Sequence, residues 1–281
     1  MQRTGALLLA IYRLYHDSGV VLAGAVAFSS ILSMFPFCIL LGSLAGLAGG
    51  RELAEQAVAL LVDVLPEKVA ATIAPQVMTV MGASRFDLLT VGGLLALFFA
   101  TGAFETMRQA LNTAYRAEED RNYFVCLSIS TSFVLAGAIL LLVLTAGLVV
   151  WPAIVSRLEP EWVNRPEAAF VRELLSSTWL SVGVRYAIAG GAIGLQLFAM
   201  HLWLAAGRRT ISQVWPGVLF SALLWLATAG LFSIYLDFND YTRFYGGLAQ
   251  IMAAMIFFWV SAVIVILGAE LNRGLIELRK G

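Results

Sequence analysis

Apolar residues along this chain gather into six long stretches, and the charged residues cluster between them. The stretches cover residues 20–49, 87–107, 124–150, 182–204, 214–236 and 246–271. A helix needs roughly 20 apolar residues to cross about 30 Å of hydrocarbon, so each is long enough to span a bilayer. The second is the shortest clean case, with Leu88 to Phe104 uninterrupted by charge. The pattern predicts an all-α polytopic membrane protein with six transmembrane helices, built as one integral membrane domain over residues 1–281.

The long connections carry a second pattern. In residues 51–65, Leu53, Ala57, Leu60, Leu61 and Val64 share a helical face, with Arg51, Glu52, Glu55 and Asp63 elsewhere. Val69, Ile73, Val77 and Val80 repeat this over residues 67–81, and Pro66 separates the two segments. Charges every few residues oppose crossing, so two short amphipathic helices are expected at the outer surface. Residues 152–180 read similarly, with Pro166 at a helix start and Phe170, Val171, Leu174 and Leu175 on an apolar face.

Composition supports the membrane reading. The chain is 60% hydrophobic and 13% charged, with a mean hydropathy of +0.85. A water-soluble globule with so few charges has too little polar surface to cover itself. Lys plus Arg equals Asp plus Glu at 18 each, without the basic excess that a nucleic-acid partner requires. Cys38 and Cys126 lie far apart and form no disulfide framework. His16 and His201 are too few for a histidine-rich metal site, and no metal or cofactor is expected. Met1 to Tyr15 lacks a small-residue cleavage pattern, so the first span is expected to serve as an uncleaved insertion signal.

Lys and Arg set the expected orientation. With the N-terminus inside, ten positive residues fall on short cytoplasmic segments and eight on the opposite side. The inside set includes Arg3, Arg13, Arg116, Arg121, Arg208 and Arg209. Both termini are thus expected on the cytoplasmic side.

Several positions are candidates for chemistry. Pro36 follows Ser29, Ser30 and Ser33 inside the first stretch. It removes an amide donor and crowds the Leu32 carbonyl, so a kink is expected, with the serines able to re-satisfy loosened backbone. Two readings stand: a broken helix lining a substrate cavity, or an ordinary membrane kink filled by neighbours. At two span ends a carboxylate precedes an arginine by one turn, in Glu105–Arg108 and Glu270–Arg273, with Asn112 and Asn272 close by. These are either interfacial ion pairs or parts of a gate or proton site facing the bundle interior. Between the fifth and sixth stretches, Asp237, Tyr241, Arg243 and Tyr245 are either interfacial anchors or the outer lip of a pathway. Gly183, Ala187, Gly190, Gly191 and Gly194 form a small-residue stripe suited to close helix packing. His201 reads as a hydrogen-bonded helix-end residue. The chain carries no Walker loop and no Ser-His-Asp arrangement, so no ATPase and no enzymatic activity are expected.

Five short stretches carry a resemblance to the YihY/BrkB family of bacterial inner-membrane proteins. They are Ala27 to Pro36, Ala110 to Tyr115, Trp215-Pro216-Gly217, Tyr241 to Gly247 and Leu267 to Asn272. The resemblance implies six helices. It also carries three labels: virulence factor, transporter and the older ribonuclease BN. The ribonuclease label conflicts with these residues, since two histidines and no basic face offer neither a metal site nor an RNA groove.

Two functions are in view. The first is a transporter or exporter of a lipid-like or amphipathic solute, without its own ATPase. The second is a non-transporting membrane scaffold that recruits envelope proteins. A membrane enzyme acting on lipid or peptide is a third, and it needs a nucleophile–base pair that the linear sequence does not supply. Membrane lipids surround the chain in either main reading, and its oligomeric state is open.

Overall fold

A computed structural model describes residues 2–48, 56, 59, 86–145, 178–238 and 248–279. Every regular element among these is helical. The helices are α1 (Gln2–His16), α2 (Gly19–Ala48), α3 (Phe86–Tyr115), α4 (Tyr123–Thr145), α5 (Thr178–Ala199), α6 (Ile211–Phe238) and α7 (Leu248–Leu278). In hydrocarbon every backbone group must find its partner within the chain, and a helix does this segment by segment.

Among the described residues, Tyr123–Thr145, Ile211–Phe232 and Ile251–Leu278 are each long and apolar enough to cross a membrane. Leu7–His16 and Gly19–Met34 make a fourth candidate if taken as one span, bent by 71°. The chain is an all-α membrane protein. Its outer faces keep large apolar side chains uncovered, among them Leu94, Leu195, Leu226 and Leu231, as a surface solvated by lipid tails requires.

α2 packs along α3 and α7, and α6 lies against α7. The core lies where α1, α2, α3 and α7 meet, around Leu14, Val26, Leu111 and Ile266. α6 and α7 cross at very short range. A Cβ placed on Gly217 would overlap the Gly268 carbonyl, and one placed on Gly268 would overlap the Ser221 hydroxyl. Ser221 in turn donates to the Ile264 carbonyl at 3.0 Å.

Three elements differ from the hydropathy reading. α1 is a helix of its own, missed because its apolar run is short. It buries Ala10 and Leu14 while Leu8, Tyr12 and Tyr15 remain exposed. The bend falls at Asp17–Ser18, where Ser18 takes a φ of 60°, and α2 continues as helix through Pro36. α3 runs to Tyr115, two turns past the predicted span end at 107. Its added turns bury Arg108 and Asn112 along with Leu111. The small-residue stripe on α5 does not draw a neighbour close: Cβ atoms on Gly190, Gly191 and Gly194 would meet nothing within 4 Å.

Candidate functional site

The α1–α2 turn, the α3–α4 loop, the α5–α6 loop and the last turns of α7 converge at one end of the bundle. Arg13 on α1 reaches Glu277 on α7 at 2.7 Å, so residues near both termini share this end. The convergence comes from helix-ending chemistry. α3 stops at Arg116, in the left-handed region at φ 52°. The Ala117 amide donates back to the Asn112 carbonyl at 2.9 Å and the Arg116 amide to Thr113 at 3.0 Å. This is the Schellman ending, with arginine at the position glycine usually takes. α5 closes in a π-helical turn, Met200–Leu204, and its last carbonyls are capped by arginines. Arg121 donates to Trp203 at 3.1 Å and to Leu204 at 3.0 Å. Arg209 donates to His201 at 3.2 Å and to Ala206.

A carboxylate hub joins α3, α4 and their loop. Glu119 accepts from Arg121 at 2.6 and 2.8 Å, from Asn112 at 2.9 Å and from Arg108. Arg108 also pairs with Glu105 at 2.7 Å, and Glu105 accepts from the buried Ser130 hydroxyl at 2.7 Å. Asn112 completes its bonding by accepting the Ala206 amide at 2.6 Å. Arg121, aided by Asn112 and Arg108, holds the Glu119 carboxyl down to about 2, against desolvation.

The sign of the consequence follows from linkage. The folded value lies below the ordinary 4.5, so this stabilisation is complete above the unfolded carboxylate's range and is lost as pH falls toward the folded value. The unfolding temperature of purified protein should therefore fall between about pH 5 and pH 3. Glu119→Gln should flatten that slope and lower the neutral-pH value. A slope equal to the wild type's would show that Glu119 does not carry it.

A second cluster ties α3, α5, α6 and α7 together. The Asn272 side chain accepts from the Gly217 amide at 2.7 Å and donates to the Tyr115 hydroxyl at 3.1 Å. The same hydroxyl is hydrogen-bonded to His201 Nδ1 at 2.8 Å, with the direction set by the imidazole tautomer. The other ring nitrogen, Nε2, is buried and meets no partner among the described residues. The Arg209 guanidinium lies 3.7 Å from the centre of the Tyr115 ring, a favourable cation–π placement.

Glu270 marks the third cluster. It is 1% exposed and meets Arg116 at 3.2 Å; Arg116 also binds Asp17 at the α1–α2 turn. This corrects the expected i,i+3 pair: Arg273 turns instead to Glu277, at 2.8 Å. Spacing along α7 permits Glu270–Arg273, but burial of Glu270 against α3 brings the loop arginine to it.

The structure therefore gathers Glu105, Arg108, Asn112, Glu270 and Asn272 at one end. Ser29 meets Thr106, which lies between Glu105 and Arg108 on α3, at 3.1 Å, and one turn farther along α2 Ser33 donates to the Ser30 carbonyl at 3.0 Å. Pro36 is half-buried further along α2. Asp237 lies in the last turn of α6, and Tyr241, Arg243 and Tyr245 lie outside the described residues, as do the amphipathic segments 51–65 apart from Gln56 and Ala59, 67–81, and 152–180 up to residue 177. Sequence reasoning missed Glu119 as a hub and Tyr115 as the centre of the second cluster. The available signal was the run Arg116 to Arg121, with five charges in six positions.

These features define a helical membrane protein in which buried ionic and amide contacts seal one end of an apolar bundle. The chain belongs to the virulence factor BrkB family, whose model matches residues 10–280. It is also similar to the ribonuclease-like protein YfkH of Bacillus subtilis (strain 168). The two are 26% identical over 194 residues, which is 69% of this chain and 67% of that protein. No solved structure matches it.

Proposed function

We propose that the chain moves a lipid-like or amphipathic solute across the bacterial inner membrane, with the ionic layer as its cytoplasmic gate. In this reading six helices cross the membrane, both termini face the cytoplasm, and an ion gradient rather than the chain's own nucleotide hydrolysis drives movement. One observation carries the proposal. Glu270, inside an apolar helix, is bridged by Arg116 to Asp17 on a separate turn. A buried ionisable side chain in a membrane helix is costly, less so near a span end than at the centre, and marks a functional site by default. In a scaffold such a bridge would serve only to hold α7 to the loop.

The chemistry of opening follows from the bridge. A proton on Glu270 removes the charge that Arg116 faces and leaves the arginine to Asp17 alone. α7 is then released from the α3–α4 loop, and the polar end can part. The designation ribonuclease-like belongs to the relative, and this reading assigns no nuclease chemistry to the chain.

Purified protein in liposomes carrying a fluorescent phospholipid, with dithionite bleaching the outer leaflet, tests the proposal. The wild type should move the probe faster than empty liposomes, and faster still under a proton gradient. Glu270→Gln, which lacks the charge as the protonated carboxyl does, should raise the rate about tenfold, as a change of about 1.4 kcal/mol gives, and remove its pH dependence. An unchanged rate and pH profile in the variant would falsify the gate. Bleaching no faster than in empty liposomes favours the scaffold.

A further inference from the structure

Two hollows at the polar end meet at Ile129 and Trp203. One is a groove of about 490 Å³ along α4, walled by Phe124, Val125, Ser128, Ser132 and Phe133, with Trp203 across it. Its hydroxyls are already engaged, Ser128 on the Phe124 carbonyl and Ser132 on the Ser128 carbonyl, each at 2.7 Å. The groove therefore presents an apolar wall. The other is a basin of about 810 Å³ formed by the two polar loops, lined by Glu118, Asp120, Arg121, Arg208 and Arg209.

The charges in the basin are not equally available. Arg121 is spent on Glu119 and on two carbonyls. Arg209 meets no carboxylate among the described residues; it gives two bonds to carbonyls, and a guanidinium has five N–H donors. Arg208, Glu118 and Asp120 are exposed and make no hydrogen bond or ion pair among the described residues. Arg208, Glu118 and Asp120 thus stand unengaged at the mouth of an apolar groove, and Arg209, held by the His201 and Ala206 carbonyls and the Tyr115 ring, keeps N–H donors to spare. A purely anionic ligand would face both carboxylates, and a cationic one both arginines.

We propose that this cleft seats one zwitterionic phospholipid. An acyl chain lies in the α4 groove, the phosphate rests on Arg208 and Arg209, and the ammonium faces Glu118 and Asp120. Trp203, 65% exposed, stands where chain meets head, the depth at which tryptophan anchors in a bilayer. The seat names the substrate class of the proposed transporter and rests on that reading only for the fate of the lipid, since binding itself needs no movement.

Native mass spectrometry of the full chain in detergent, titrated with phosphatidylethanolamine or phosphatidylglycerol of identical chains, tests the seat. The wild type should retain phosphatidylethanolamine preferentially. Arg208→Gln should weaken both lipids by about threefold, the size of one exposed charge contact. Glu118→Gln with Asp120→Asn should weaken phosphatidylethanolamine alone and abolish the preference. Ser128→Trp, which fills the groove from an exposed position, should weaken both. Equal retention of the two lipids by the wild type overturns the zwitterionic seat. So does displacement of the lipid by millimolar inorganic phosphate with no effect of Ser128→Trp, which would assign the basin to a soluble phosphate. Selective retention without flux in liposomes keeps the seat and sinks transport; flux without selective retention does the reverse.

Discussion

Gly268→Ala should unfold this protein or leave it unable to assemble, whereas Gly194→Ala should be tolerated. The Cβ added at Gly268 meets the Ser221 hydroxyl and lies 2.8 Å from the Gly217 carbonyl. Neither obstacle is the far end of a flexible side chain. Ser221 is fixed by its bond to Ile264, and Gly217 is backbone held by Asn272. Relief must come from separating α6 and α7, which pulls Asn272 away from Gly217 and disturbs the Tyr115–His201 cluster. Overpacking a well-filled contact costs about 1–3 kcal/mol, and more where backbone must move. At Gly194 nothing stands within 4 Å, and a mid-helix Gly→Ala change gains roughly 0.5–1 kcal/mol. Unfolding temperature and monodispersity in detergent read the difference. Ser221→Ala in the Gly268→Ala background should restore part of the loss, since one of the two obstacles is removed. Equal behaviour of the two alanine variants would show that the α6–α7 crossing has room for a methyl group.

That contrast also explains what the sequence made legible. Hydropathy located the long helices because the bilayer imposes a length on them, and a run of 20 apolar residues has few other uses. It mislaid their ends because α3 continues into polar sequence. Arg108 and Asn112 look like loop residues by composition, and as helical residues they reach partners on other elements, Arg108 the Glu119 carboxylate of the following loop and Asn112 the Ala206 amide. The small-residue rule failed in location rather than in principle. Five small residues on α5 at helical spacing promised a close crossing, yet the crossing uses Gly217 and Gly268, one on each of two helices. A pattern within one helix says which face permits approach; it does not say which face a neighbour takes.

The polar end was half legible for a related reason. Glu105–Arg108 formed as its spacing suggests, because both partners lie on one helix and local geometry decides the pair. Glu270 did not take Arg273, because a loop arginine from far along the chain competes and wins. Glu119 was invisible as a hub, since it sits in a loop whose conformation is set by the αL turn at Arg116. Nothing in its neighbours' identities states that Arg108, Asn112 and Arg121 would all face it.

Arg108→Leu should cost at least as much as the glycine change, through charge rather than volume. Arg108 is 9% exposed at its side chain and serves two carboxylates at once, Glu105 and Glu119. After the change Glu119 keeps Arg121 and Asn112, while Glu105 keeps only the Ser130 hydroxyl. A half-buried carboxylate without its cation is the expensive product, and breaking such a pair from one side typically costs about 3–5 kcal/mol. Lysine at this position should recover only part of the loss, because an ammonium is a point charge without the planar fork that bridges two carboxylates. The informative variant is Arg108→Leu with Glu105→Gln, which removes the orphaned charge. Its unfolding temperature should rise well above that of Arg108→Leu alone, giving a coupling of about 1–3 kcal/mol in the double-mutant cycle. If the second change brings no recovery, the loss comes from packing around the Arg108 stem, and the layer is held by shape rather than by charge.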